Sequence, residues 1–127
     1  MRLLLDTHVF LWAITDDARL SVAHRVQYID QESELYLSVA SIWEMLIKLG
    51  LRKLSLPLPA TDYLHRQMEK NRVHAMTIRV SHMVELEKLP PLHRDPFDRL
   101  LVAQARAERM PILTADPAIR NYDVDVL

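Results

Sequence analysis

A chain of 127 residues is one domain's worth, long enough to bury roughly two thirds of the surface its unfolded form exposes. Hydrophobic residues make up 50% and charged residues 26%, which excludes intrinsic disorder, and with no cysteine there is no disulfide framework, thiolate metal site or cysteine nucleophile. Lys+Arg 16 against Asp+Glu 17 leaves a net charge of -1, so a polyanionic partner has to be met by a local patch and not by a global field.

The first apolar run, Leu3-Leu4-Leu5 before Asp6, reads as a strand covered on both faces, with a helix starting near Thr7. Val22, Val26 and Ile29 repeat at helical spacing behind Ser21, a suitable N-cap. A second short strand at 35–37 precedes a helix whose apolar stripe is Val39, Ile42, Trp43, Leu46 and Ile47, with Gly50 placed to end it as a left-handed residue. A helix follows over about 61–72, then a strand at 75–78, and then a short helix after Ser81 that must stop before Pro90-Pro91. Asp95-Pro96, an N-cap acid with proline at the first helical position, opens a helix running to about Arg109. Strand runs at 111–114 and, weakly, at 124–127 complete the chain. Strands alternating with helices predict a three-layer α/β/α fold over residues 1–127, with a mostly parallel sheet of four or five strands.

No apolar run approaches the ~20 residues that cross a bilayer, and three leucines are too few for a signal-peptide core, so the expected location is the cytoplasm. A single glycine cannot build a P-loop or a dinucleotide fingerprint. The six histidines show no paired ligand spacing, which argues against zinc, and no G-x-S-x-G elbow is present.

Ligands of open parallel sheets bind beyond the carboxyl ends of the strands, where the winding reverses. Asp6 ends the first strand, Asp116 follows the strand run at 111–114, Glu44 lies early in the helix after the second strand, and Asp98 sits at N3 of the helix opened by Asp95. Four acids are thereby steered to one rim. Carboxylates ~4 Å apart at an effective dielectric near 20 repel by about 4 kcal/mol per pair, so such a cluster calls for a proton or a cation, and Mg²⁺ or Mn²⁺ suits oxygen donors.

Each acid also has a purely structural role open to it. Asp6 and Asp116 suit helix or turn caps, and Glu44 completes the capping-box pattern Ser41-Ile42-Trp43-Glu44 and faces Lys48 one turn on. Asp98 suits a first-turn acid held by the helix dipole, but it stands at the end of the row Leu101, Val102 and Ala105, a face expected to be buried, which favours function. Thr7 and Thr114 flank the acids, where a hydroxyl either holds water or satisfies a strand end. Trp12 and Trp43 fall on apolar helix faces and read as core.

Taken together, Leu5-Asp6-Thr7-His8 with Leu11-Trp12, S-V-A-S-I-W-E-M-L-I-K from Ser38, H-R-D-P-F-D-R-L-L-V-A-Q-A from His93 and L-T-A-D ending at Asp116 resemble the PIN-domain family, and more closely its VapC-type toxin ribonucleases. The resemblance implies a parallel sheet between helices and a Mg²⁺- or Mn²⁺-dependent endoribonuclease. It places Asp6, Glu44 and Asp98 on the family's principal acidic positions, Asp116 on a more variable fourth, and Asp95 on a structural one. It further implies hydrolysis of RNA by a metal-activated water, with Thr7, Ser41 or Thr114 orienting water and Arg94, Arg99 and Lys48 as phosphate contacts. A cognate antitoxin and a homodimer are the implied partners. That antitoxin would insert an arginine among the acids and lay a helix near Trp12 and Ile47. The chain departs from the pattern at Glu108-Arg109-Met110, where many relatives place a glycine. Two other classes fit acids at a sheet edge: a receiver-like Mg²⁺-binding signalling domain, and a catalytically silent PIN-like binding module.

Overall fold

A computed structural model describes all 127 residues. Its strands are β1 (Arg2–Leu5), β2 (Glu34–Ser38), β3 (Val73–Met76) and β4 (Ile112–Leu113), and its helices are α1 (Thr7–Ile14), α2 (Val22–Ile29), α3 (Val39–Gly50), α4 (Ala60–Lys70), α5 (Val80–Lys88) and α6 (Pro96–Glu108). The sheet is parallel throughout, in the order β3-β2-β1-β4.

Side chains alternate across a strand, and the three leucines of β1 therefore serve two cores. Leu3 and Leu5 join Leu35, Leu37 and Leu113 beneath Phe10 of α1, Met45 of α3 and Leu64 of α4. Leu4 points the other way, into a cluster with Ile112 and with Leu101, Val102 and Ala105 of α6. All three leucines are fully buried, each contributing about 1.5–3 kcal/mol. Because the chain winds outward from β1 to β3 and then returns to the far side of β1 for β4, its direction reverses between β1 and β4. The crevice of an open α/β sheet belongs there.

Several sequence expectations need correction. Residues 124–127 form no fifth strand; Val126 makes one isolated bridge to Ile112. The third strand starts two residues before the expected 75–78, at Val73, directly after Arg72 in the left-handed region. On α2 the Val22, Val26 and Ile29 stripe faces outward, because the helix lies at the periphery and anchors through buried Tyr28 instead. Trp43 is 60% exposed, not core, and packs edge-on against Phe97 with centroids 5.3 Å apart. Gly50 stays inside α3; the left-handed residue is Arg52, and Lys53 N–H closes the helix onto the Lys48 carbonyl at 2.8 Å.

The same device ends α6 without its expected glycine. Arg109 takes φ 54°, and Met110 N–H donates to the Ala105 carbonyl at 3.0 Å. A side chain in this conformation costs about 1 kcal/mol relative to glycine. Arg109→Gly is therefore expected to stabilise the protein by about 0.5–1 kcal/mol, read as a higher urea midpoint with an unchanged denaturant slope.

Candidate metal centre

Asp6 stands at the carboxyl end of β1 and Asp116 just beyond β4, the two strands on either side of the reversal. The capping role for Asp6 does not hold: its side chain makes no capping hydrogen bond of ordinary geometry to α1, although the residue is only 4% exposed. Instead its Oδ2 accepts a 2.6 Å hydrogen bond from the Thr114 hydroxyl, which itself accepts the Asp116 N–H at 3.0 Å. Burial pushes the Asp6 carboxyl above its ordinary value, with Thr114 and nearby His8 pulling the other way. Asp116 does cap its own turn, since Oδ1 accepts Ala118 N–H at 2.9 Å, but Oδ2 remains turned to the cluster.

Glu44 is no part of a capping box. The helix starts at Val39, with Ser38, three residues before Ser41, as the N-cap accepting from Ala40 N–H at 3.1 Å. Glu44 thus falls in the second turn of α3, 6% exposed. The Thr7 hydroxyl lies 2.8 Å from both Ser41 Oγ and Glu44 Oε1. One hydroxyl has one proton, so Thr7 donates to the carboxylate and accepts from Ser41. Lys48 Nζ reaches the other Glu44 oxygen at 3.3 Å.

Asp95 caps α6 through its Oδ1, with Phe97 N–H at 2.9 Å and Asp98 N–H at 3.4 Å. That cap aims the first turn of α6 at the crevice, with the Asp98 side chain 18% exposed. The Asp98 carboxyl is pushed up to about 7, first by burial and then by the charges of Asp95, Asp6, Glu44 and Asp116. A carboxyl that responds to all three of the other candidate acids shares one electrostatic site with them.

Sequence reasoning missed a fifth group. His93 Nε2 lies 3.1 Å from Asp98 Oδ2 and 3.7 Å from Asp116 Oδ2. No periodic spacing signals it, because His93 approaches Asp98 through the turn into α6 and Asp116 through tertiary structure. Only its place at the head of the H-R-D-P-F-D segment marked it.

Of the basic residues, Lys48 is paired with Glu44. Arg99 is a strut of the loop before α6, its Nη1 donating to the Pro90 carbonyl at 2.9 Å and to Tyr122 Oη at 3.3 Å. Arg94 is exposed and borders, with Glu44, Lys48, Lys53 and Phe97, a shallow depression beside the acids.

The donor set suits a hard divalent cation. Its acids offer oxygen ligands, and the Asp98 carboxyl is raised first by burial and then by the surrounding carboxylates, an environment that a cation would relieve. Fold and site together define an α/β domain with an acidic, cation-type centre at the switch point of a parallel sheet. The PIN domain matches residues 3–125. Ribonuclease VapC22 of Mycobacterium tuberculosis is 30% identical over 120 residues, 94% of this chain and 90% of that protein. Among solved structures, VapBC2 from Rickettsia felis bound to a DNA fragment from their promoter superposes with a TM-score of 0.72 at 14% identity, covering 100% of this chain and 98% of the other. VapBC-1 from nontypeable Haemophilus influenzae gives 0.69 at 15% identity, with 100% and 97% covered. The chain belongs to the PIN-domain family. Membership of that family displaces the receiver-like reading.

Proposed function

We propose that this chain, acting as a single domain over residues 1–127, is a metal-dependent endoribonuclease and the toxin of a toxin–antitoxin module. The observation that supports the reading is the placement of Asp6, Glu44, Asp98 and Asp116 toward one edge of the sheet, where burial first, and then the charges of Asp95 and the other three acids, raise the Asp98 carboxyl. The likeness to a protein named as a ribonuclease supports RNA as the substrate.

Asp6, Glu44, Asp98 and Asp116 would hold Mg²⁺ or Mn²⁺. When bound, such an ion generates a nucleophile from water near neutral pH and offsets charge that develops on the phosphate. The remaining work belongs to the protein's own side chains. Thr114 fixes the Asp6 carboxylate and Thr7, backed by Ser41, fixes that of Glu44, so both acids keep their orientation when the cluster is crowded with charge. Arg94 supplies a phosphate contact at the rim, beside the apolar side chains of Ile47, Leu51 and Phe97.

Pure protein incubated with structured RNA is expected to cleave it with Mn²⁺ and to leave it intact with chelator. Folded, Mn²⁺-bound protein that leaves a panel of cellular RNAs intact would favour the silent binding module. Arg94→Ala should raise KM several-fold at low salt with little change in kcat, and the difference should shrink as ionic strength rises.

No helix here is long and apolar enough to cross a membrane, and the proposed location is the cytoplasm. A nuclease there needs restraint, which we assign to a cognate antitoxin. The groove beside α1 bordered by Leu11, Trp12, Leu54 and Leu56 together with charged Asp17, Arg19 and Lys53 supports docking near Trp12, while Ile47 lines the separate depression beside Arg94. Solved assemblies whose names pair VapB with VapC-type chains support the same partner. The homodimer stays a proposal that light scattering of the purified chain tests directly.

A further inference from the structure

We propose that His93 is a positioning residue whose protonated Nε2 steadies the Asp98 carboxylate beside Asp116 and does not itself coordinate the cation. The inference rests on the metal site of the preceding section and deepens it.

Distances alone suit a three-donor cation site, because His93 Nε2 and carboxylate oxygens of Asp98 and Asp116 lie within 4.8 Å of one another. The tautomer decides otherwise. The other ring nitrogen, Nδ1, accepts the Asp95 N–H at 3.0 Å. A nitrogen that accepts keeps its lone pair, so the ring proton resides on Nε2, and a protonated Nε2 has no lone pair for a metal. What it presents is a protonated nitrogen in electrostatic contact with Asp98 Oδ2 at 3.1 Å, with Asp116 Oδ2 farther off at 3.7 Å, beyond hydrogen-bond reach.

The backbone that carries the ring is also anchored. His93 N–H donates to the hydroxyl of buried Tyr122 at 2.8 Å, and Arg99 braces the same hydroxyl at 3.3 Å. Asp98 rides on α6 and Asp116 on the loop after β4, two elements whose acids repel each other. The ring nitrogen, 3.1 Å from Asp98 Oδ2 and 3.7 Å from Asp116 Oδ2, offsets part of that repulsion and restrains Asp98 beside Asp116. Partners of this kind, donating to ligating carboxylates, typically change metal affinity by 10–100-fold when removed.

The test is Mn²⁺ titration calorimetry on the full chain at constant pH. His93→Ala is expected to bind Mn²⁺ about 10–100-fold more weakly than the parent, and His93→Gln, whose amide N–H replaces Nε2–H, to come back to within a few-fold. Ring ¹⁵N shifts of the metal-free parent should show a protonated Nε2 and a bare Nδ1, unchanged in type when Mg²⁺ is added. A purely structural His93 would lower the melting temperature of the Ala variant while leaving its Mn²⁺ affinity at the parent value, and that result overturns the proposal. So does a ring protonated on Nδ1, which is the signature of direct coordination through Nε2. A parent that binds no Mn²⁺ takes the metal site down as well, whereas a parent and an Ala variant that bind equally remove only the role of His93.

Discussion

Asp98→Asn is expected to abolish RNA cleavage and, in the presence of chelator at pH 8, to make the protein more stable than the parent. The sign follows from the proton balance. The folded carboxyl is raised to about 7 while the ordinary value is 3.8, so between those pH values the folded chain holds the proton more tightly than the unfolded chain does. Stability linked to Asp98 is therefore fully present at acid pH and is lost as pH rises from about 4 through about 7. The amide is shaped like the carboxyl but never ionises, so it escapes that loss. Because the side chain remains partly open to solvent, the gain is discounted to about 1–2 kcal/mol, or about 5 °C in melting temperature. Melting curves with chelator at pH 8 and pH 4 measure it: the variant should lead at pH 8 and draw level at pH 4. An Asp98→Asn variant less stable than the parent at pH 8 would mean that Asp98 acts chiefly as a first-turn helix acid. It would also remove the electrostatic argument for one shared site.

What the sequence made legible was the part that local rules determine. The continuous run Leu3-Leu4-Leu5 implied a strand buried on both faces, and Asp95-Pro96 marked the start of α6 to the residue. Those two features carry Asp6 and Asp98 to the crevice. Failures came where tertiary structure overrides periodicity. The valine stripe of α2 has helical spacing but lies outside the core, and Trp43 stands on an apolar stripe yet is exposed and packs on Phe97. The capping-box pattern at Ser41 failed because Ser38 competes for the same helix end and starts the helix a turn earlier. That displacement puts Glu44 past the first turn, beyond the orphan amides, and so removes its capping role. His93 was invisible to spacing rules because its two carboxylate neighbours come from elements that meet only in the folded chain.

Cation affinity should rise with pH and then level off. An Asp98 that carries a proton below about 7 must release it before its oxygens can bind a metal, so binding and deprotonation are linked. Below that value the apparent Kd for Mn²⁺ is expected to fall about tenfold for each unit of pH, and above it to become flat. Calorimetry at pH 6 in buffers of different ionisation heat should report close to one proton released per ion bound, declining toward zero near pH 8.5. Four other groups face this carboxyl, namely His93, Asp6, Glu44 and Asp116, with Asp95 behind it, so variants are needed to separate their contributions. The slope should disappear in Asp98→Asn, whose residual binding is weak and nearly independent of pH, and should survive in His93→Gln, which keeps the acid. The same linkage makes added metal a stabiliser of the folded chain alone. At an ion concentration one hundred times Kd the gain is about 2.7 kcal/mol, and it should be larger at pH 8 than at pH 6 for a fixed Mn²⁺ concentration. An affinity that stays constant from pH 6 to pH 8, or a parent slope retained in Asp98→Asn, would place the titrating proton elsewhere and separate Asp98 from the metal centre.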